Sequence, residues 1–283
     1  MMKISNYSLN YARRISQGQM DIFGFLDLCR KLGIEGASLH VRDLPETGTA
    51  YLKKVRRGYL DRFLSMSMFT VSTNFGNPRN GDRAERHSAF EAIRAAIFLG
   101  APIVRVFAGS PPDEAGREKA FARAAESIRA VCEEGAQLGM PIGLQNHNHG
   151  ALCRTGAEML RMIQMVSHPN LTILLDTGQF AGSKGASAQN LNQLKTENYI
   201  DSIRMCAPLA RHVRTKFYNP DQSGSEPWID YNEVFNILRG VHYEGWLDIV
   251  YEPGKTPGDA GESIDTAMPR IVSFLRSKAQ CVA

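Results

Sequence analysis

The chain is organised as a repeated alternation. Short apolar or β-branched runs are each followed by a longer segment of helical period, which is the signature of βαβ units and a parallel sheet. Eight such runs occur: Ile4 to Leu9, Gly36 to His40, Phe69 to Phe75, Ile103 to Phe107, Ile142 to His147, Leu171 to Asp176, Arg211 to Phe217 and Trp246 to Tyr251. In the segment from Asp21 to Leu32, Ile22, Phe25, Leu26, Cys29 and Leu32 recur at helical spacing, and Gly33 supplies a stop. Thr155 and Glu158 form a capping-box pattern ahead of Met159, Leu160, Ile163 and Val166. The 283 residues are close to the roughly 250 of a (β/α)8 barrel, so a single α/β domain over 1–283 accounts for the chain.

Composition excludes several function classes. At 43% hydrophobic and 22% charged residues, the sequence has ample material for a core and is not disordered. The net charge of +4 is modest, and the cluster Lys53, Lys54, Arg56 and Arg57 reads as a solvated helix face, so no nucleic-acid partner is expected. No stretch of about 18 apolar residues suggests a membrane span, and Met1 to Asn10 does not read as a secretory signal. Five cysteines, Cys29, Cys132, Cys153, Cys206 and Cys281, follow no pairing pattern; a reducing, cytoplasmic setting is expected. A homo-oligomer is compatible with all of this.

Nearly every expected strand ends in polar residues: His40 with Arg42, Asn74, Arg105, Gln145 to His149, Asp176, Arg214 with Lys216, and Glu252. In a closed barrel all the carboxyl ends meet at one face, so these residues would line one pocket. His147 and His149 alternate, so one of them should face it, whereas His87, His168 and His242 read as surface residues. Trp228 and Trp246 could pack in the core or stack on a sugar. Gly254 and Lys255 give only a weak phosphate-loop signal.

Four segments carry a family resemblance: Gly143-Leu144-Gln145-Asn146-His147, Leu174-Leu175-Asp176-Thr177-Gly178, His212-Val213-Arg214-Thr215-Lys216 and Val250-Tyr251-Glu252. They resemble the ends of strands five to eight in the sugar phosphate isomerase and epimerase superfamily with the xylose-isomerase-like barrel. Leu99 to Pro102 and Val104 to Gly109 are also similar to members of it. The resemblance implies a divalent metal held by Glu, Asp, His and Glu at these four strand ends. Asp176 and Glu252 match; Gln145 and Arg214 do not, His212 matches the usually non-liganding His, and Gln179 stands where related epimerases often have His.

An amide oxygen can still ligate a hard cation, but a guanidinium only donates. Exchanging Glu for Gln and a neutral His for Arg adds two positive units, the charge of the ion that would be lost. The expectation is therefore that Arg214, with Lys216 beside it, stands in for the metal and pairs with Asp176 and Glu252, so that no cofactor is required. The alternative is one Mn, Mg or Zn on Asp176, Glu252 and Gln145.

The expected catalytic group is Glu252, Asp176, Arg214 and Lys216, with Glu252 as base and a cation stabilising charge on a carbonyl oxygen. His147, His149 and Lys216 are candidates for a second acid or base. Gln145, His147, Arg105, Asn74, His40 and Gln179 are expected to bind substrate. The competing reading for Asp176, Arg214 and Glu252 is a buried ion-pair cluster that closes the barrel.

The leading function is a sugar or keto-sugar isomerase or epimerase, on a free or phosphorylated carbohydrate, working by proton transfer next to a carbonyl. Alternatives are a lyase or dehydratase on a keto-sugar or polyol, and a non-catalytic sugar-binding subunit. A metal-dependent nucleic-acid hydrolase ranks below these, because the strand ends lack its ligand cluster.

Overall fold

The computed structural model describes residues 1–148, 151–184, 198–253 and 261–280. Eight parallel strands close into a barrel: β1 Lys3–Tyr7, β2 Gly36–His40, β3 Ser65–Thr70, β4 Val104–Val106, β5 Ile142–Gln145, β6 Leu171–Asp176, β7 Ala210–Phe217 and β8 Trp246–Tyr251. Each is followed by a helix: α1 Ile22–Lys31, α2 Thr49–Asp61, α3 Asp82–Leu99, α4 Arg117–Gln137, α5 Gly156–Val166, α6 Tyr199–Cys206, α7 Tyr231–Gly240 and α8 Ile264–Gln280.

Local chemistry explains the element ends. Asp21 caps α1 by accepting from the Gly24 N–H, and Gly33 leaves it with a φ of 69°. Ile22, Phe25, Leu26 and Cys29 are buried, as their helical spacing requires. At α5 the Thr155 hydroxyl accepts from the Glu158 N–H while the Glu158 carboxylate accepts from the Thr155 N–H.

All eight expected strands are present, but their bounds shift. β3 begins four residues before Phe69 and ends at Thr70. The Ser65–Met68 stretch has little β-branched character, yet it pairs with β2 across a register shift between Ala37 and Ser38. Beyond it, Thr73 is held by its hydroxyl, which donates to the Phe107 carbonyl and accepts from the Phe107 N–H. β1 stops at Tyr7 because Ser8–Tyr11 turns into a 3-10 helix, with the Ser8 hydroxyl donating to Asp43.

The lower barrel interior is divided in character. On one side Met68, Ile103 and Leu174 form a small apolar cluster separate from the main core. Gly143 makes room for it, since a Cβ there would lie 2.9 Å from Ile103 Cδ1. On the other side the buried Asp248 accepts from the hydroxyls of Ser5 at 2.6 Å and Ser38 at 2.9 Å, with His212 at 4.0 Å. The polar side chains at the carboxyl ends stand on this packed floor.

Among the described residues no helix is long and apolar enough to cross a membrane. Lys53, Lys54, Arg56 and Arg57 are exposed on α2, and Cys29, Cys132, Cys153 and Cys206 are buried free thiols. Cys281, His149, Gly254 and Lys255 lie outside the described residues.

Candidate active site

Strand register brings the four family-like positions together. Asp176 on β6 pairs in register with Arg214 on β7, and Gln145 on β5 is level with Leu174, two residues before Asp176. Side chains two apart on a strand share a face, so Arg214 and Lys216 both project inward from β7.

A continuous polar chain results. Arg214 Nη1 donates to Gln145 Oε1 at 2.7 Å, and Gln145 Nε2 donates to Asp176 Oδ2 at 3.1 Å. The amide orientation is dictated by its neighbours, because a guanidinium only donates and a carboxylate only accepts. Lys216 Nζ lies 3.8 Å from Asp176 Oδ2 and donates to Glu252 Oε1 at 2.9 Å. Arg214 Nε stands 3.9 Å from Asp176 Oδ2, close enough to attract but not to hydrogen-bond. Asp176 Oδ1 accepts from the Gly178 N–H at 3.1 Å. Burial lifts the Asp176 carboxyl above the usual carboxylate range, against the pull of Lys216 and Arg214.

The remaining expected residues surround this chain. Arg105 is buried and donates to the Val71 carbonyl and the Tyr7 hydroxyl, both at 3.1 Å, with its guanidinium 4.0 Å over the Phe107 ring. Burial pulls its pKa down to about 10, so it remains cationic at neutral pH. His40 Nδ1 accepts from the Arg42 N–H and its Nε2 lies 3.0 Å from the Ser72 hydroxyl. Burial first, then Arg105, Arg42 and Arg214, push the His40 pKa down to about 2. Gln179 is buried, and its Oε1 has no hydrogen-bond partner among the described residues.

A cavity of about 190 Å³ opens beside Gln145 and is lined by Thr73, Asn74, Phe107, His147 and Cys153, among others. His147 meets the edge of Phe107 at 5.1 Å. Asn74 also holds its own loop, its Oδ1 accepting from the N–H groups of Asn77 and Ser110. Neither Trp lines this cavity: Trp246 packs against Gly36 at the start of β2, and Trp228 lies 5.8 Å from the Tyr218 ring.

Sequence reading did not single out Tyr7. It sits between the two guanidiniums, bonded to Arg105 through its hydroxyl and carrying Arg214 4.4 Å over its ring. Its period-2 relation to Ser5 on an inward-facing strand was the available signal.

The sequence profile of the xylose isomerase-like TIM barrel matches residues 26–273. The chain belongs to this family. Two curated relatives of this xylose isomerase-like barrel are more distant in sequence. A 2-oxo-tetronate isomerase from Pectobacterium atrosepticum is 25% identical over 64% of this chain and 67% of its own length. A putative hydroxypyruvate isomerase from Mus musculus is 24% identical over 60% of this chain and 61% of its own length. The solved structure of a D-psicose 3-epimerase in the presence of D-fructose superposes with a TM-score of 0.75, at 19% identity, covering 98% of this chain and 99% of that one.

Within the xylose isomerase-like barrel, the donors present here do not fit a divalent cation. The Gln145 oxygen that could ligate is already accepting from Arg214, and Asp176 has two cationic side chains within 4.0 Å. No three His, Cys, Asp or Glu side chains gather into a possible metal group among the described residues.

Proposed function

We propose that this protein is an isomerase or epimerase acting on a small keto-sugar or related carbohydrate, free or phosphorylated, by proton transfer next to the carbonyl. The observation that carries the reading is the chain Arg214–Gln145–Asp176–Lys216–Glu252, which sets a carboxylate base beside the fixed cation of Lys216, with Arg214 at the other end, at the face where barrels of this kind bind ligands. Glu252 is the one of these carboxylates with substantial exposure, its side chain 31% accessible, so it is the one that can meet a substrate C–H.

The step balances simply. Glu252 takes the proton from the carbon next to the carbonyl, and the C–H electron pair forms an enediolate whose new negative charge rests on the carbonyl oxygen. Arg214 and Lys216 stabilise that charge. Return of the proton to the neighbouring carbon, with a hydroxyl proton moving in the opposite sense, interconverts ketone and aldehyde; return to the same carbon from the other side inverts it. His147, at the cavity wall, is the candidate for the second proton transfer, while His40 serves as a neutral hydrogen-bonding group. Arg105, Asn74 and Gln179 complete the substrate-binding set.

The isomerase names of the relatives support the reaction class. In this scheme Arg214 stands in for a metal, and 1–283 acts as one domain in the reducing cytoplasm, where the free thiols are stable. Deuterium incorporation from solvent into bound keto-sugars tests the proposal: wash-in is expected, and its absence from every bound candidate would favour a non-catalytic sugar-binding protein.

A further inference from the structure

Helix α2 closes on a phenylalanine where its neighbours close on glycine. The Phe63 N–H donates to the Leu60 carbonyl and the Leu64 N–H to the Tyr59 carbonyl, a pattern that ends a helix through one left-handed residue. The same two bonds end α3 at Gly100 and α4 at Gly139, with φ at 77° and 69°. His242 closes α7 in this way too, but His tolerates the conformation far better than a bulky aromatic. Phe63 adopts it at a φ of 56° with its side chain 81% exposed, so the strain secures no packing inside this chain. Its ring contact is with Arg30 at 5.4 Å, itself a surface residue.

The ring belongs to a larger apolar arc. Leu60, 63% exposed, lies three residues before it, and Arg56 Nη1 donates to the Phe98 carbonyl at 3.4 Å, joining the end of α2 to that of α3. There Phe98 is 41% exposed beside the exposed Ile97. Arg94 joins α3 to Glu134 of α4, which ends at the exposed Leu138. These are all carboxyl ends of helices, so they lie on the amino-terminal face of the barrel, opposite the mouth. The other large hydrophobic side chains exposed among the described residues, Met1, Met205 and Leu209, are on that face as well. Phe63 and Phe98 together expose on the order of 200–300 Å², taking roughly 150–250 Å² for an aromatic side chain, and Leu60, Ile97 and Leu138 extend the patch. Soluble monomers rarely expose a contiguous apolar patch beyond a few hundred Å². A standard interface covers about 800 Å² on each partner, roughly 450–520 Å² of it apolar, so the arc has the size that a specific association uses.

The flanking charges favour a partner of the same kind. Arg57 pairs with Asp61 at 2.6 Å, Arg62 with Asp27 at 2.8 Å and Arg94 with Glu91 at 2.6 Å. Both signs rim the patch and are tied to each other, which suits neither a nucleic acid nor an anionic membrane. An apolar surface with such a mixed rim is complementary to a second copy of itself across a two-fold axis. We propose that this arc of helix ends is the contact face of a homodimer, in which two barrels meet back to back with both mouths turned outward.

Phe63→Gly is the informative change, because glycine takes the left-handed conformation without strain while the ring is lost. The mass of the full chain in solution is measured by analytical ultracentrifugation over a wide concentration range. Wild type is expected at twice the mass of one chain, and Phe63→Gly to weaken the association by about tenfold or more. Leu60→Lys places a charge in the patch but suits a helix carboxyl end, and it should give folded monomers. Added to those monomers, Phe63→Gly should leave the melting temperature unchanged or raise it, free of any effect of association on stability. The inference is overturned by a wild type that is monomeric at every concentration, or by an association that either variant leaves intact, since its contact then lies on another face. A lower melting temperature on adding Phe63→Gly would show that the ring serves its own fold, and it overturns the inference too. Should Leu60→Lys not fold, Phe63→Gly decides alone.

Discussion

Lys216 Nζ sits 2.9 Å from Glu252 Oε1, joining an ammonium buried to 2% exposure to a carboxylate that still reaches the mouth. The lysine fixes the base through one oxygen and places a positive charge next to the position where an enediolate would form. Removing the carboxylate charge while keeping the shape should therefore affect the reaction more than binding. Glu252→Gln is expected to lower kcat by about 10²–10⁴-fold while the dissociation constant for a keto-sugar changes only a few-fold. Equal losses in both would assign Glu252 a structural role.

Arg214 is the residue whose replacement should alter the chemical character of the site. Arg214→Gln keeps a donor toward Gln145 but removes the charge, and a loss of about 10²–10³ in kcat is expected. The pair of changes Gln145→Glu and Arg214→His gives Glu, Asp, His and Glu at the four strand ends. Calorimetric titration of that double variant with Mn²⁺ should show one site, and wild type should show much weaker binding. Equally tight binding to wild type would contradict the substitution of a guanidinium for an ion.

His40 gives the fold a predictable acid sensitivity. Its folded pKa of about 2 lies below the unfolded value of about 6.5, so the unfolded chain binds the proton more readily. This contribution to stability is complete above about pH 6.5 and is lost as pH falls toward 2, with a slope approaching ~1.4 kcal/mol per pH unit. Asp176 has the opposite sign: its raised pKa favours the folded state when protonated, and that contribution is lost as pH rises through the raised value. Denaturation of wild type and His40→Gln between pH 4 and 8, repeated in an Asp176→Asn background, separates the two. The His40 variant should flatten the fall below pH 6.5; an unchanged slope would count against a buried neutral imidazole.

Gly109 supports the cavity wall through its backbone. With φ at 88°, it lies so close to Asn74 that a Cβ would stand 2.1 Å from Asn74 Oδ1. Gly109→Ala should cost at least ~2 kcal/mol from the left-handed backbone and the overlap together. Chemical denaturation measures it, and a change below 0.5 kcal/mol, on the order of a neutral surface substitution, would show that the loop yields freely.

The barrel was legible in the sequence because its signals are local and repeated. β2, β6 and β8 fall at the expected residues, and the Asp21 cap, Gly33 stop and Thr155–Glu158 box act within a few positions of themselves. β3 was less visible because Ser65–Met68 is specified by pairing with β2 rather than by propensity. At the site, strand-end polarity pointed to Gln145, Asp176, Arg214 and Glu252, but not to what each would touch. Tyr7 as the support of two guanidiniums, Asn74 as a loop anchor and the neutral acceptors of Arg105 depend on contacts across many tens of residues, which no local pattern encodes.

The central claim is that side-chain cations, rather than a bound ion, stabilise the charge formed when Glu252 removes a proton. Its most direct measurement is solvent deuterium incorporation into a bound keto-sugar by protein exhaustively treated with chelator, followed by NMR. The account predicts exchange at the carbon next to the carbonyl at the untreated rate, and a loss of about 10²–10⁴-fold in Glu252→Gln. Exchange that disappears on chelation and returns with added Mn²⁺, Mg²⁺ or Zn²⁺ would contradict it.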